Sequence, residues 1–240
     1  MSTINLLQHG TMKIEGFISW SSNHTFLVKI GEGDTLAIYK PMRGERPLWD
    51  FDEGTLYKRE RAAYLISDAL GWNLVPATVI RDGEHGIGSV QRFIPHDPNE
   101  HYFTFENETD LTEQLQKIIL FDLLINNADR KGGHILLQSP AYNDEKRQLW
   151  VIDHGICFHE AYKVRTVIWQ FAGEEIPSPQ HDQLTTLQQT LQQDTPLKQQ
   201  LSQLLSEPEQ IALQMRLTKL VQEGRFWRPG PGRHYPWPPI

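Results

Sequence analysis

The stretch NNADRKGGH (Asn126–His134) carries the strongest local pattern in this chain of 240 residues. It follows an apolar helical pattern and leads into the short apolar run HILLQ. This order predicts that Asp129 follows a helix and that His134 begins a strand, with two glycines permitting a tight turn between them. An acid five residues before a side chain that can bind metal suits a site containing a base and a metal ion.

A second segment, LWVIDHG (Leu149–Gly155), ends an apolar strand pattern on an acid. The carboxylate of Asp153, followed by His154, is predicted to face a cleft and to hold magnesium, although a solvated aspartate at a strand end would show the same pattern. The turn-like residues between HILLQ and LWVIDHG predict that these two runs form a hairpin.

The helix before the loop is predicted to begin near Asp110, where Asp110 and Glu113 resemble a capping box. Its side chains recur at helical spacing. The recurring positions are Leu111, Leu115, Ile118, Ile119 and Asp122.

Short β-type runs separated by turn residues dominate from Gly16 to Ile94, and they predict one small antiparallel sheet. The runs are GFISW, FLVKI, TLAIYK, LVPATVI and GIGSVQRFI. Tight connections are predicted at Gly31–Asp34 and Arg81–Gly83. A single helix, from about Thr55 to Leu70 and stopped by Gly71, is predicted to interrupt the strands.

Lys40 and Glu60 are candidate partners across this region. Lys40 ends TLAIYK, so a rigid strand would carry its ammonium group, although a surface lysine before Pro41 would look the same. Glu60 shares a helix side with Leu56, Ala63, Tyr64 and Ser67, where an unpaired carboxylate would be costly to desolvate. Lys40 is its natural partner. A purely structural pairing could use other cations, namely Arg43, Arg46, Arg59 or Arg61.

The polar segment SSNHT lies between the first two strands. Its hydroxyl, amide and backbone donors could surround phosphate oxygens, although any polar hairpin turn would have this composition. The segment comprises Ser21, Ser22, Asn23, His24 and Thr25.

The C-terminal part contains two Gln-rich helical patterns, about Asp182 to Leu205 and Glu207 to Glu223. The final stretch FWRPGPGRHYPWPPI is predicted to be extended, because its prolines remove backbone donors and fix φ. It is interpreted either as a tail that covers apolar surface or as a proline-rich docking segment.

Charge and composition exclude some functions. A net charge of -7 argues against bulk nucleic acid as the main partner. Cys157 is the single cysteine, so no intramolecular disulfide can form. The N-terminus lacks a signal-peptide pattern, and no stretch approaches the roughly 20 apolar residues that span a bilayer. We therefore expect a soluble cytoplasmic protein.

Together these residues suit phosphoryl transfer from ATP. That reaction requires donors around the phosphates, a lysine, an acid that holds the lysine, a carboxylate at the acceptor hydroxyl and metal ligands. The chain offers a candidate for each in order: SSNHT, Lys40, Glu60, Asp129, and the pair His134 and Asp153. An ATP-dependent phosphotransferase is the leading hypothesis.

At these residues the chain resembles the phosphatidylinositol 3- and 4-kinase-like family, in particular bacterial proteins described as relatives of those kinases. The resemblance spans about Gly16 to Phe158 and rests on IYKPMRGERPLWDF, the helix with Glu60, SVQRF, NNADRKGGHILL and VIDHG. It implies an α+β, two-lobed protein-kinase-like fold, with a small antiparallel sheet and one helix in the N-lobe and a short, mostly helical C-lobe. The expected divisions are 1–94 for the nucleotide-binding lobe, 95–225 for the catalytic lobe and 226–240 for the tail.

The resemblance also implies roles for single residues. Lys40 would contact the ATP phosphates and be held by Glu60, Asp129 would be the catalytic-loop aspartate, and Asp153 would bind metal. Residues 21–25 would line the phosphate loop. The hinge beside adenine would be Gln91, Arg92, Phe93 and Ile94.

Two positions depart from this family's usual pattern. His134 stands where such kinases usually have asparagine as a second metal ligand, and His154 stands where they usually have phenylalanine. Imidazole favours softer metals than Mg²⁺, so the expected cofactors are ATP with Mg²⁺ or Mn²⁺.

Two other functions remain open. The departures and the short C-terminal half would suit a catalytically weak nucleotide-binding regulator. A metal-dependent hydrolase could use a set of histidines and carboxylates, namely His24, Asp129, His134, Asp153 and His154. The acceptor hydroxyl could belong to a protein, a lipid or a small molecule.

Overall fold

The computed structural model describes residues 2–18, 23–138 and 147–240, and it places a small sheet before a mainly helical part. The strands are β1 Met12–Phe17, β2 Phe26–Ile30, β3 Thr35–Pro41, β4 Thr78–Gly83, β5 Gly86–Arg92, β6 Ile135–Gln138 and β7 Gln148–Val151. The helices are α1 Thr3–His9, α2 Leu56–Ala69, α3 Tyr102–Phe105, α4 Thr112–Ile125, α5 Ser178–Gln192, α6 Pro196–Leu204 and α7 Glu207–Glu223. Short 3₁₀ turns lie at Met42–Gly44, Thr109–Leu111 and Gly132–His134.

The N-terminal sheet is antiparallel, with the strand order β1, β2, β3, β5, β4. The predicted connection at Gly31–Asp34 is confirmed, because Ile30 pairs with Thr35 on either side of it. The predicted connection at Arg81–Gly83 is wrong by a few residues. These residues continue β4 until Gly83 pairs with Gly86, and Gly86 supplies the positive φ of 94° that the turn requires.

Helix α2 agrees closely with the prediction. It ends before Gly71, whose φ of 65° lies in the left-handed region that stops a helix. The short α1 is not predicted, because it has few apolar residues, yet it buries Leu7 against the sheet. Arg81 fastens α1 to β4 by donating to the carbonyl oxygens of Leu7 and Gly10.

Helix α4 is buried from Ile118 to Ile125, where Asp122 is the one polar residue, but its start differs from the prediction. It begins at Thr112, and Leu111 at its N-cap makes no side-chain capping bond. Asp110 instead accepts hydrogen bonds from Arg147, so the predicted capping box is wrong. The long-range ion pair uses the carboxylate that local capping would have needed.

The C-terminal part contains three helices where two were predicted from the Gln-rich pattern. Residues Gln193–Thr195 separate α5 from α6, because Pro196 begins the new helix and cannot continue the old one. Helices α5 and α7 pack on each other, and α4 packs against α7. The largest apolar core joins these helices to buried residues of α2, while a smaller core lies between the sheet and α1.

The chain after α7 is extended, as predicted, and its backbone lies across the loop that follows α4. The Gly132 amide donates to the Pro239 carbonyl oxygen over 2.7 Å, and the Thr166 amide donates to the His234 carbonyl oxygen over 3.1 Å. Phe226 is buried, whereas Trp237 is 76% exposed. The tail therefore covers apolar surface near its start and presents an aromatic side chain near its end.

No helix within residues 2–18, 23–138 and 147–240 combines the length and apolar character needed to cross a membrane.

Candidate kinase-like site

Lys40 lies at the centre of the candidate site. Strand β3 positions it through its pairing with Ser89 of β5. Its Nζ lies 2.5 Å from Oε1 of Glu60 and 3.0 Å from Oδ1 of Asp153. Burial alone would lower the pKa of Lys40, but the two carboxylates together raise that pKa above its ordinary value. Lys40 is therefore charged at neutral pH.

Glu60 connects this lysine to the segment around Asp153. It is buried on α2, and its second oxygen accepts a hydrogen bond from the His154 amide over 3.1 Å. Two alternative cations have other partners: Arg59 pairs with Glu209, and Arg61 donates to the Thr78 carbonyl oxygen. Both oxygens of this buried carboxylate are thus engaged.

Asp153 follows β7 with a backbone φ of 63°, which is uncommon for a residue with a side chain. This left-handed conformation directs its carboxylate toward Lys40 and His134. The Lys40 ammonium holds the pKa of Asp153 far below its usual range, against the effect of burial. Asp153 is accordingly an anion at neutral pH.

His134 ends the 3₁₀ turn Gly132–His134 and faces Asp153. Its Nε2 lies 3.4 Å from Oδ2 of Asp153, and its Nδ1 lies 3.0 Å from the Asp129 carbonyl oxygen. Burial lowers the pKa of His134 to about 4, an effect that Asp153 only partly opposes. The imidazole is therefore neutral at pH 7.

Asp129 lies in the same loop, with its amide donating to Oδ1 of Asn127 over 3.0 Å. Its carboxylate is partly exposed and lies 3.4 Å from Nζ of Lys131. Burial raises the pKa of Asp129, Lys131 lowers it, and the Asp153 charge raises it further. A partly exposed acid with a raised pKa is suited to accepting a proton.

A buried network below the loop was not predicted from the sequence. Asp122 of α4 pairs with Arg130, and both side chains are fully buried. Arg130 also donates to the Ile152 carbonyl oxygen and contacts Nε2 of His154 over 2.8 Å, while Asn127 and Thr166 donate to Asp122. The available sequence signal was an acid within the apolar pattern of α4, since such an acid requires a buried partner.

The network makes His154 a structural residue in this geometry. Burial lowers its pKa well below the ordinary value, and the charge of Arg130 lowers it further. Its neutral ring accepts from Arg130 and packs edge-on against Phe121 at a centroid distance of 5.7 Å. The histidine therefore links the segment containing Asp153 to α4.

The predicted phosphate loop is only partly described. Ser21 and Ser22 lie outside the described residues. Asn23 accepts from the Arg46 amide, and the His24 amide donates to the Gly44 carbonyl oxygen. The carbonyl oxygen of Asn23 accepts from the Thr25 hydroxyl. Asn23 and His24 thus connect this segment to the chain around the turn after β3.

The predicted hinge residues lie at the end of β5 and just beyond it. Gln91 donates its side-chain amide to Thr78, and Arg92 lies over the Trp150 ring. The Phe93 amide donates to the Leu36 carbonyl oxygen, and Nδ1 of His96 lies 2.8 Å from the Ile94 carbonyl oxygen. Some backbone groups that the resemblance assigns to adenine therefore have partners within the chain.

The residues considered for a metal hydrolase do not gather around one point. Across the three described ranges, no group of three His, Cys, Asp or Glu side chains could hold a metal ion. His154 is occupied by Arg130, and His24 packs against Phe17. His134 and Asp153 remain as a pair.

A small antiparallel sheet that carries a lysine paired with a helical glutamate, followed by a helical part that supplies the acids, defines a kinase-like protein. The fold agrees with the crystal structure of a *Helicobacter pylori* proinflammatory kinase, CtkA, at a TM-score of 0.51 and 13% sequence identity. The match covers 92% of this chain and 94% of that one. The predicted fold class is confirmed.

Sequence comparison then gives the family. Residues 56–216 match the family described as phosphatidylinositol 3- and 4-kinase. Protein Rv2133c of *Mycobacterium tuberculosis* (strain ATCC 25618 / H37Rv) is 36% identical over 97% of this chain and 94% of its own length. The chain belongs to the phosphatidylinositol 3- and 4-kinase family, which confirms the resemblance.

Two plant relatives match across 50% of this chain. Phosphatidylinositol 4-kinase gamma 4 of *Oryza sativa* subsp. *japonica* and its namesake from *Arabidopsis thaliana* are each 30% identical. The matched regions are 23% and 24% of those proteins. The similarity thus concerns about a quarter of each plant kinase.

Proposed function

We propose that the protein is an ATP-dependent phosphotransferase that transfers the γ-phosphoryl group to a hydroxyl acceptor. The observation that carries this proposal is the meeting of Lys40, Glu60 and Asp153, which come from a strand, a helix and a strand end far apart in the chain. Lys40 would neutralise charge on the ATP phosphates, and Glu60 would hold its ammonium group in place. Residues 1–94 would form the nucleotide-binding lobe, residues 95–225 the catalytic lobe and residues 226–240 the tail.

His134 and Asp153 fit a divalent cation. Since a carbonyl oxygen can only accept, Nδ1 of His134 donates to Asp129, which leaves a lone pair on Nε2. This nitrogen faces a carboxylate oxygen at 3.4 Å, so two acceptors oppose each other across a gap that favours a cation. Two ligands with bonds of about 2.1 Å to one ion are about 3.0–3.4 Å apart at octahedral or tetrahedral angles.

Two protein ligands are sufficient for a metal that also binds phosphate oxygens and water. A divalent cation at this pair would supply neutralisation of the β- and γ-phosphate charge. The imidazole ligand favours Mn²⁺ relative to Mg²⁺, because nitrogen ligands suit the softer of two ions. We therefore propose ATP with Mn²⁺ or Mg²⁺ as the cofactors.

Asp129 would orient the acceptor hydroxyl and accept its proton as the oxygen–phosphorus bond forms and the bond to the ADP oxygen breaks. Its raised pKa brings it closer to the value at which a carboxylate is an effective base. The proposed phosphate loop, residues 21–25, and the proposed hinge, Gln91 to Ile94, would hold the two ends of the nucleotide. The Phe93 amide donates a hydrogen bond to the Leu36 carbonyl oxygen, so the other backbone groups of the proposed hinge would contact adenine.

The Asp129→Asn variant tests this function. ADP formation would be measured with Mn²⁺ and with Mg²⁺, using phosphatidylinositol vesicles as the first acceptor because the plant relatives carry that name. Turnover should fall at least about 100-fold, whereas ATP affinity should change by less than about threefold. The exposed Asp68→Asn variant on α2 is the matched control. Full activity of the Asp129 variant would disprove the role of this residue.

A nucleotide-binding regulator is the second candidate, and one contact favours it. Lys40 occupies Oδ1 of Asp153, which leaves one oxygen of that carboxylate directed at His134. This hypothesis predicts that ATP with Mn²⁺ raises the melting temperature but that no ADP forms and no phosphate reaches phosphatidylinositol or the protein itself. ADP formation, or transfer to either acceptor, would rule it out.

A further inference from the structure

A cavity of about 510 Å³ lies on the C-terminal part between α7, residues 160–162 and residues 227–231. None of the residues that line it belongs to the kinase-like site. Its volume lies in the range of about 300–1,000 Å³ that small-molecule sites occupy. The residues that carry the argument are Glu160, Tyr162, Ala212, Arg216, Lys219 and Trp227.

Two buried donors at this cavity lack hydrogen-bond partners. Arg216 donates through Nε to the Leu124 carbonyl oxygen over 2.9 Å and through Nη1 to the His159 carbonyl oxygen over 3.3 Å. Its Nη2 has no partner within the described structure, and neither has Nε1 of Trp227. Buried donors normally have acceptors. Both residues line the cavity, so a ligand that displaces the side chains covering these two atoms would supply the missing acceptors.

The charge of the cavity is positive in a chain whose net charge is -7. Arg216, Lys219 and Arg228 line it, and Glu160 is the acid among the lining residues. Lys219 also lies 3.8 Å from Glu223, so the lining and this neighbour together carry one positive charge more than negative charges. Burial lowers the pKa of Arg216 to about 10, which leaves the guanidinium charged at neutral pH. Lys219 lies over the Trp227 ring, 4.8 Å from its centroid, so a cation sits beside the unpartnered indole donor.

The remaining wall is apolar and partly open. Met215 is 67% exposed, and the half-exposed Tyr162 lies against Trp227 at a centroid distance of 6.3 Å. Together with Ala212, these side chains offer an apolar surface next to the cations. A ligand that satisfies both parts must combine an anionic group with an apolar body.

We propose that this cavity binds an amphipathic anion, a carboxylate or phosphate group on an apolar body. The anionic oxygens accept from Nη2 of Arg216 and Nε1 of Trp227 beside Lys219, and the apolar body lies along Tyr162 and Met215. The site does not depend on ATP chemistry, so it stands whether or not the protein transfers phosphate.

Calorimetric titration of the full chain with three probes tests the anion requirement. Octanoate and octyl phosphate carry the two candidate anions on the same apolar body, and octyl glucoside carries no charge. At least one anion should bind with an affinity about tenfold or more above that of octyl glucoside. The tighter of the two anions identifies the headgroup. Equal binding of octyl glucoside, or no saturable binding of either anion up to about 10 mM, would overturn the proposal.

Two adjacent positions on α7 provide a matched pair of variants. Ala212 lines the cavity, whereas its neighbour Ile211 is 52% exposed and does not line it. Ala212→Trp should weaken binding of the preferred anion at least about tenfold by filling the cavity, and Ile211→Trp should leave it within about twofold. Equal binding to both variants would place the ligand elsewhere and refute the site.

Trp227→Phe separates the indole donor from the ring, because it removes Nε1–H and retains an aromatic wall. It should weaken anion binding about three- to tenfold and leave octyl glucoside unaffected. Lys219→Gln should reduce anion binding in the same direction. Arg216 is not substituted, since its bonds to Leu124 and His159 support the fold. Unchanged anion affinity in both variants would contradict the proposed contacts.

Discussion

Arg130→Met should destabilise the protein by about 3–5 kcal/mol, because it leaves the Asp122 carboxylate buried without its cation. Both side chains are fully buried, and the guanidinium Nη2 lies 3.0 Å from Oδ1 of Asp122. The same guanidinium donates to the Ile152 carbonyl oxygen over 2.8 Å. Methionine retains most of the volume, so the loss concerns charge and hydrogen bonds rather than packing.

The part of this destabilisation that comes from the unpaired Asp122 charge has an upper limit that depends on pH. An unpaired carboxylate can take up a proton instead of remaining charged, and at pH 7 this costs about 1.36 kcal/mol for each unit between pH 7 and an ordinary pKa of about 3.9. The unpaired charge therefore contributes at most about 4 kcal/mol, and the hydrogen bonds that Arg130 no longer donates account for the rest of the predicted 3–5 kcal/mol. Burial already raises the pKa of Asp122 beside Arg130, and removing the cation must raise it further.

The pH dependence has a definite sign. In the variant the folded state binds the Asp122 proton more strongly than the unfolded state does, so the free energy of unfolding rises as pH falls. Relative to wild type, the deficit should shrink as the pH falls from about 7 to about 5.5, by at most about 2 kcal/mol, which is the value for one proton per molecule over the whole interval. A deficit caused by lost packing would not change over this interval.

Urea denaturation at both pH values measures this deficit, with the slope against urea concentration serving as a check on two-state behaviour. The Asp122→Asn and Arg130→Met double variant is the control, because it removes both charges and should lose the pH-dependent part. A deficit below about 1 kcal/mol, or an equal pH dependence in the double variant, would refute the claim that an uncompensated charge is responsible.

Three further predictions concern the candidate site. His134→Asn should raise the ratio of ATP turnover with Mg²⁺ to turnover with Mn²⁺ by about tenfold, measured by ADP formation. In wild type, the Mn²⁺ affinity should stay constant between about pH 8 and pH 6, because the His134 pKa is lowered to about 4. Glu60→Gln should reduce turnover at least about tenfold and lower the free energy of unfolding by about 1–3 kcal/mol, since it removes the ion pair with Lys40. ADP formation and urea denaturation measure the two effects, and unchanged turnover would contradict the role of Glu60. Deleting residues 237–240 removes the Pro239 carbonyl oxygen that accepts from the Gly132 amide, and it should lower the melting temperature by a few degrees, roughly the effect of 1 kcal/mol. The control Trp237→Ala changes an exposed side chain and should leave the melting temperature nearly unchanged.

Periodicity and turn chemistry predicted most of the secondary structure. Strands β2, β3 and β5, α2 with its stop at Gly71 and the β6–β7 hairpin follow from local patterns, because each alternates or repeats at its own period and ends at turn residues. Strand β1 begins at Met12, four residues before the predicted run GFISW, and β4 begins at Thr78, four residues after the predicted run LVPATVI begins. Two other errors occur where a distant partner competes with a local signal. Asp110 binds Arg147 instead of capping α4, and residues Arg81–Gly83 continue β4 through pairing with β5.

The candidate site was predictable as a set of residues but not as a set of contacts. Motif order placed Lys40, Glu60, Asp129, His134 and Asp153 in one hypothesis, and the assignment of roles to them stays a prediction. The distances between them depend on packing that no local pattern contains. The phosphate-loop residues Ser21 and Ser22 lie outside the described structure.

By itself, the sequence determined the family, through the resemblance of its ordered motifs, and that resemblance implied the fold class. Only the tertiary structure decided that Asp122 forms an ion pair with Arg130, that His154 is a buried acceptor and that Nε2 of His134 faces Asp153. The physical reason is burial. A side chain's partner and its pKa depend on which distant groups share its desolvated environment, and folding brings those groups together.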